Sequence, residues 1–106
     1  MVSFKQFQEL DLRVGKVLAV DAVPGADKLY KLSVDVGEKK IDLVAGLKPY
    51  YKPEEMKGKK IIVVVNLDPV ILKGVKSEGM LLATQDGPVV SLITIDKDVK
   101  PGSKIS

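Results

Sequence analysis

The 106-residue sequence contains neither cysteine nor histidine. Without cysteine there is no disulfide framework, no thiolate metal site and no thiol nucleophile. Without histidine the commonest general base and the commonest metal ligand are both missing. Together these absences remove most hydrolase and metalloenzyme chemistries, and no cofactor or metal is expected. Tryptophan is absent too, aromatic residues make up only 5%, and Arg13 is the single arginine among 17 cationic side chains. Bidentate reading of base edges usually falls to arginine, so a lysine surface points to phosphate and shape contacts instead. No apolar run reaches membrane-spanning length, and the start Met1-Val2-Ser3-Phe4-Lys5-Gln6-Phe7 lacks the apolar segment of a signal peptide. No membrane partner is expected, and the expected compartment is the cytoplasm.

What the chain does have is Val, Ile and Leu, which carry most of a 45% hydrophobic content, with nine Gly and six Pro spread among them. That is an all-β signature with one or two short helices. The length allows one domain with its own core and leaves no room for a second. A net charge of +3 permits an anionic partner without requiring one, since lysines that only keep a protein soluble give the same count.

The most informative stretch runs from residue 59 to residue 84. Ile61, Ile62, Val63, Val64 and Val65 are too apolar for a half-exposed strand and too few for a membrane span. They predict a strand covered on both faces, and something must supply the second cover. Pairing is expected to stop near Asn66 and Pro69, where a loop over residues 67–78 begins. That loop carries Lys73, Lys76 and Ser77, with Gly74 and Gly79 giving backbone freedom, before Met80-Leu81-Leu82-Ala83 resumes a strand.

Elsewhere, Ser3 and Gln6 fit a capping box for a short helix over residues 4–9 that sets Phe4 and Phe7 on one face. Those rings suit core packing at a barrel end or a subunit contact. Residues 12–23 form a strand, with Gly15 the expected bulge that lets it serve two parts of a curled sheet. After a turn at Pro24-Gly25-Ala26-Asp27, alternation over residues 29–36 puts Tyr30, Leu32, Val34 and Val36 inward and Lys31, Ser33 and Asp35 outward. A hairpin returns through residues 41–45, a short helix follows Pro53, and residues 89–95 form a further strand before a polar closing loop over residues 96–103.

Five main strands with a helix between the third and fourth predict an OB-fold, a five-stranded Greek-key barrel, here with a short N-terminal helix. The expected parts are the helical segment 1–10, the barrel 11–95 and the C-terminal segment 96–106. OB-folds bind nucleic acid through one strand face and two loops, which here are residues 23–28, with Lys28, and residues 67–78.

Several runs resemble the tRNA-binding domain found at the C-terminus of methionyl-tRNA synthetases, in free-standing tRNA-binding proteins and in EMAP-II-like precursors. They are Asp11-Leu12-Arg13-Val14-Gly15-Lys16-Val17, Pro24-Gly25-Ala26-Asp27-Lys28-Leu29-Tyr30, Gly46-Leu47 before Tyr50-Tyr51, and Asn66-Leu67 with Lys73-Gly74-Val75-Lys76-Ser77-Glu78-Gly79-Met80. The resemblance covers nearly the whole chain. It implies non-catalytic tRNA binding by shape and backbone, with Lys73 the loop cation, Ser77 and Met80 polar and apolar contacts, and Asn66 a strand-end amide. Lys76, Lys28, Lys31 and Arg13 complete the expected contacts. Val70-Ile71-Leu72 departs from relatives that carry further basic residues there.

The resemblance also implies a homodimer, and a methionyl-tRNA synthetase catalytic chain as a further partner. The apolar excess of residues 61–65 independently predicts a second copy as cover. Plain rivals exist for the site residues: Met80 in the core, Ser77 as a turn former, Asn66 as a cap, and Gly74 and Gly79 as backbone relief. A second class of function is a CsaA-like dimeric peptide-binding chaperone using an apolar groove. No paired catalytic constellation is present for an enzyme.

Overall fold

The computed structural model describes residues 1–106. Ser3 caps the first helix as the sequence predicts. Its hydroxyl accepts the Gln6 amide at 3.1 Å and the Gln6 side chain accepts the Ser3 amide at 2.9 Å, starting α1 (Phe4–Gln8). The chain then enters β1 (Leu12–Ala22), β2 (Tyr30–Asp35) and β3 (Lys40–Ala45), crosses α2 (Pro53–Met56), and returns as β4 (Lys60–Val64). Two hairpins follow. The first joins β5 (Val70–Leu72) to β6 (Val75–Ser77); after the short β7 (Met80–Leu81), the second joins β8 (Ala83–Asp86) to β9 (Val89–Leu92). The chain closes with β10 (Lys104–Ile105) on β1.

The main sheet runs β3-β2-β1-β4-β7, nearly closed on itself as in an OB-like barrel. β1 pairs with β4 through Leu12 to Lys16 and with β2 from Lys16 to Ala22, so one strand serves two parts of the barrel. The register irregularity lies between Val17 and Ala19, which moves the expected bulge away from Gly15. Gly15 serves space instead: a Cβ there would sit 2.6 Å from Val34 Cγ1 and 3.0 Å from Val63 Cγ2. The interior holds Val17, Leu32, Val34, Leu43, Ile61 and Val63, with Met56 of α2 buried among them. Alternation along β2 falls as predicted, with Tyr30, Leu32 and Val34 buried and Lys31, Ser33 and Asp35 half-buried.

The doubly covered strand is β4. Ile61 and Val63 face the barrel interior, while Ile62 and Val64 join Leu12 and Val14 in a second cluster beneath Leu82, Ile95 and Ile105. The cover over that outer face is therefore the chain's own later segments, which corrects the expectation that a second copy would supply it. The apolar excess is satisfied within one molecule.

The expected loop over residues 67–78 is also corrected. It contains the β5–β6 hairpin, turned by Lys73 at φ 50° and Gly74 at φ 79°. Successive left-handed residues make the tight turn that matches strand twist. Lysine was hard to foresee there, because side chains other than those of Asn and Asp disfavour that conformation.

Candidate nucleic-acid interface

A small apolar cluster organises the cationic side of the barrel. Val23, Ala26 and Val44 are buried together, and Leu29 and Val75 pack against them. Val23 and Ala26 belong to the β1–β2 connection, Val44 to β3 and Val75 to β6. The cluster thereby ties the two loop regions an OB-fold uses for binding to the strand face between them.

Four of the expected lysines lie on the segments that carry it or pair with them. Lys28 is exposed in the β1–β2 connection and Lys73 is exposed at the hairpin turn. Lys76 is exposed on β6, cross-strand from Ile71. Lys31 is the register partner of Val44, and its Nζ lies 3.7 Å from Asp42 Oδ2. The chain's ion pairs are Arg13–Asp11, Lys31–Asp42 and Lys60–Asp98, so Lys28, Lys73 and Lys76 are free of carboxylate partners. Unpaired ammonium groups are available to phosphate, whereas Lys31 must first loosen its contact with Asp42.

Ser77 lies in the same region but faces inward. It is 3% exposed; its Oγ accepts the Val44 amide at 3.0 Å and donates to the Gly79 carbonyl at 3.0 Å. Next to it the Glu78 amide donates to the Asp42 carbonyl at 2.8 Å. These bonds bridge β3 to the β6–β7 junction where no regular ladder forms. The Ser77 hydroxyl, expected to reach RNA, is committed within the chain in this conformation. The bond to the Gly79 carbonyl, two residues on, agrees with the turn-former rival, and the bond from Val44 adds a long-range tie.

Arg13 and Asn66 stand elsewhere. Asn66 Oδ1 accepts the Asp11 amide at 2.8 Å and its Nδ2 donates to the Glu9 carbonyl at 2.7 Å, pinning the start of β1 to the end of β4. Arg13 Nε donates to Asp11 Oδ1 at 2.6 Å and Nη2 to Oδ2 at 3.3 Å, while Nη1 donates to the Gly102 carbonyl at 3.2 Å. The guanidinium's hydrogen bond holds the Asp11 carboxyl below its ordinary range. Both residues line a polar depression of about 400 Å³ with Gly37, Glu38, Lys39 and Pro101. These contacts hold termini and turns together, and Arg13's charge is already compensated.

Met80 pairs with Val64 and is 46% exposed, so it is not the core residue of the rival reading. In the sequence Val70-Ile71-Leu72 stands out only as a missing charge. All three are exposed on the hairpin, Ile71 by 73%. The role of Val44 was not foreseen, because the amide it offers Ser77 lies 33 residues away along the chain.

The sequence matches the family described as "Putative tRNA binding domain" over residues 12–104. The chain belongs to this tRNA-binding domain family. It is 55% identical over 104 residues to the methionine–tRNA ligase of Pyrococcus horikoshii, covering 98% of this chain and 14% of that protein. For the methionine–tRNA ligase of Methanocaldococcus jannaschii the identity is 50% over 105 residues, covering 98% and 16%. The chain thus spans a small fraction of these relatives. Among solved structures, a MetRS-related protein from Pyrococcus horikoshii superposes with a TM-score of 0.93 at 34% identity, covering 100% of this chain and 98% of that one. The CsaA chaperone from Picrophilus torridus superposes at 0.92 with 34% identity, covering 100% of both chains. The domain is of the tRNA-binding kind. No helix is long and apolar enough to cross a membrane.

Proposed function

We propose that this domain binds folded tRNA by its shape and phosphate backbone, as a dimerising appendage or β subunit that raises the tRNA affinity of a methionyl-tRNA synthetase catalytic chain in the cytoplasm. The observation that carries this reading is that the two segments bearing the unpaired Lys28, Lys73 and Lys76 meet at one apolar cluster, and these are the loop regions an OB-fold uses for nucleic acid. Each lysine that neutralises a phosphate releases counterions, so affinity falls steeply with salt and depends little on sequence. Lysine rather than arginine suits this work, since point charges attract phosphate without reading a base edge.

Dimerisation rests on α1. The helix buries none of its residues, and Phe4 is 72% exposed and Phe7 40% exposed. With Leu10, Lys104 and Ile105 they line a recess of about 210 Å³. A second copy covering these rings would present two cationic faces to one RNA and raise affinity by local concentration.

The decisive experiment is a gel-shift with bulk tRNA at two salt concentrations, with the same protein added to a methionyl-tRNA synthetase catalytic chain. Salt-sensitive retardation and a lowered KM for tRNA support the reading. A CsaA-like peptide-binding function is the second reading, favoured by the exposed Val70, Ile71 and Leu72. Peptide binding with no RNA retardation in dilute buffer would decide for it.

A further inference from the structure

We infer that Ser77 is a positioning residue: it acts on RNA binding by fixing the β5–β6 hairpin, with its Lys73 and Lys76, against β3, and makes no contact with RNA itself. The inference rests on the tRNA-binding reading above.

The hairpin pairs with no other strand in a regular ladder, since its two strands form a sheet of their own. It is held to the barrel at its base. Val75 packs on the Val23, Ala26 and Val44 cluster, and Ser77 Oγ takes the Val44 amide. β3 would otherwise leave that amide without a partner, because the ladder beyond Asp42 is replaced here by a side chain. The same hydroxyl donates to Gly79, fixing the path of the chain as it leaves the hairpin for β7. Gly79 has its own constraint: a Cβ there would lie 2.8 Å from the Val64 carbonyl oxygen, so the chain passes close over β4 at this point.

The hydroxyl therefore shares the attachment of the hairpin with Val75 and the Glu78–Asp42 backbone bond, and it also fixes the hairpin's exit. It offers one proton, which Gly79 takes, and the group is buried. Turning it out to an RNA oxygen would strand the Val44 amide and the Gly79 carbonyl together, an exchange with no net gain in hydrogen bonds. Lys73 and Lys76, by contrast, are exposed and unpaired within a few residues of it. Loss of the hydroxyl would let the hairpin swing and spread those two charges over many positions relative to the phosphates.

The salt dependence of tRNA affinity separates this from a direct contact. Measured across a salt series with wild type, Ser77→Ala, Lys73→Ala/Lys76→Ala and the combined variant, Ser77→Ala is expected to make the salt slope shallower by about one to two units. In the combined variant the lysine substitutions should cost markedly less than they do in wild type, because their placement is already lost. An unchanged slope with additive losses would mean that Ser77 bonds RNA directly, and would overturn the inference.

Amide exchange in the wild-type protein provides a second readout that does not depend on the folding of Ser77→Ala. The Val44 amide is expected to keep or increase its protection when tRNA binds. Accelerated exchange at Val44 in the complex would show the hydroxyl turning outward and would equally overturn the inference. Failure of the wild type to bind tRNA would refute the tRNA-binding reading itself, an outcome distinct from either result at Ser77.

Discussion

Gly37 and Gly102 cross with their backbones in contact. A Cβ on Gly37 would lie 2.8 Å from the Gly102 Cα and 2.9 Å from the Pro101 carbonyl oxygen, and a Cβ on Gly102 would lie 2.8 Å from the Val36 carbonyl oxygen. The β2–β3 turn and the C-terminal turn are seated on each other there. The seat is locked by the Gly102 amide donating to the Val14 carbonyl at 2.7 Å and by Arg13 Nη1 donating to the Gly102 carbonyl. Both glycines are also left-handed, at φ 97° and 89°.

Gly37→Ala should therefore destabilise the protein by roughly 2–4 kcal/mol, combining backbone strain with overpacking. Gly25→Ala is the matched control. It too is left-handed, at φ 77°, but a Cβ there meets nothing within 4 Å, so only about 1–2 kcal/mol of strain is expected. Urea midpoints for the two variants measure the difference. Equal losses would show that the crossing contributes nothing.

How far the chain betrays its fold depends on the range of the interaction. The Ser3–Gln6 cap, the alternation of β2 and the doubly buried β4 follow from neighbours a few residues apart, and all are legible. The identity of β4's outer cover is not, because Leu82, Ile95 and Ile105 come from strands and loops whose return path no local pattern specifies. Ser77 shows the same limit at the site. Its sequence context, between lysine and glutamate in a glycine-bounded segment, signals exposure, and only the distant Val44 amide turns the hydroxyl inward. The lysines were legible because long cationic side chains stay in water unless something pairs them. Arg13 was the exception, since Asp11, two residues away, was read as motif rather than as partner.

The Arg13–Asp11 pair predicts acid sensitivity with a definite sign. Asp11's folded pKa lies below its ordinary value of 3.8, chiefly through the hydrogen bond from Arg13. The stability this contributes is complete above that ordinary value and is lost as pH falls through the lower folded value. Asp98, held down by its hydrogen bond from Lys60, acts in the same direction. Asp11→Asn should be less stable than wild type at neutral pH, with the gap shrinking below pH 3.8. Thermal melts of both proteins across pH 2–7 test it, and a gap that stays constant in acid would remove Asp11 as the source.

The lysines differ in how much they should contribute to RNA binding. Lys73→Ala and Lys76→Ala should each weaken tRNA binding about three- to tenfold and flatten the salt slope by about 0.9. Lys31→Ala should do less, because Asp42 already occupies part of its charge. Asp42→Asn should accordingly raise affinity. Arg13→Ala should lower stability while leaving the salt slope unchanged, since its guanidinium is spent on Asp11 and Gly102. Filter-binding titrations over a range of salt measure RNA binding by all five variants, and a urea midpoint measures the stability of Arg13→Ala. A slope change for Arg13→Ala as large as that for Lys73→Ala would extend the interface from the hairpin to the polar depression.

The exposed helix face makes the proposed dimer testable without disturbing the barrel. Phe4 and Phe7 pack on each other with ring centroids 6.4 Å apart, yet no residue of α1 is buried. Phe4→Ser/Phe7→Ser removes apolar surface while leaving the Ser3–Gln6 cap intact, so the monomer's fold should lose little. Sedimentation at micromolar concentration should then show wild type as a dimer and the variant as a monomer. tRNA affinity should drop in step, by as much as about 100-fold, because each RNA would meet one cationic face instead of two. The salt slope of the variant should also become shallower, since fewer lysines act per RNA. If wild type sediments as a monomer, the dimer is wrong and α1 must find another use for its two rings. If the variant remains a dimer, the copies meet elsewhere, and the exposed Val89 and Ile93 beside the β8–β9 hairpin are the next place to substitute.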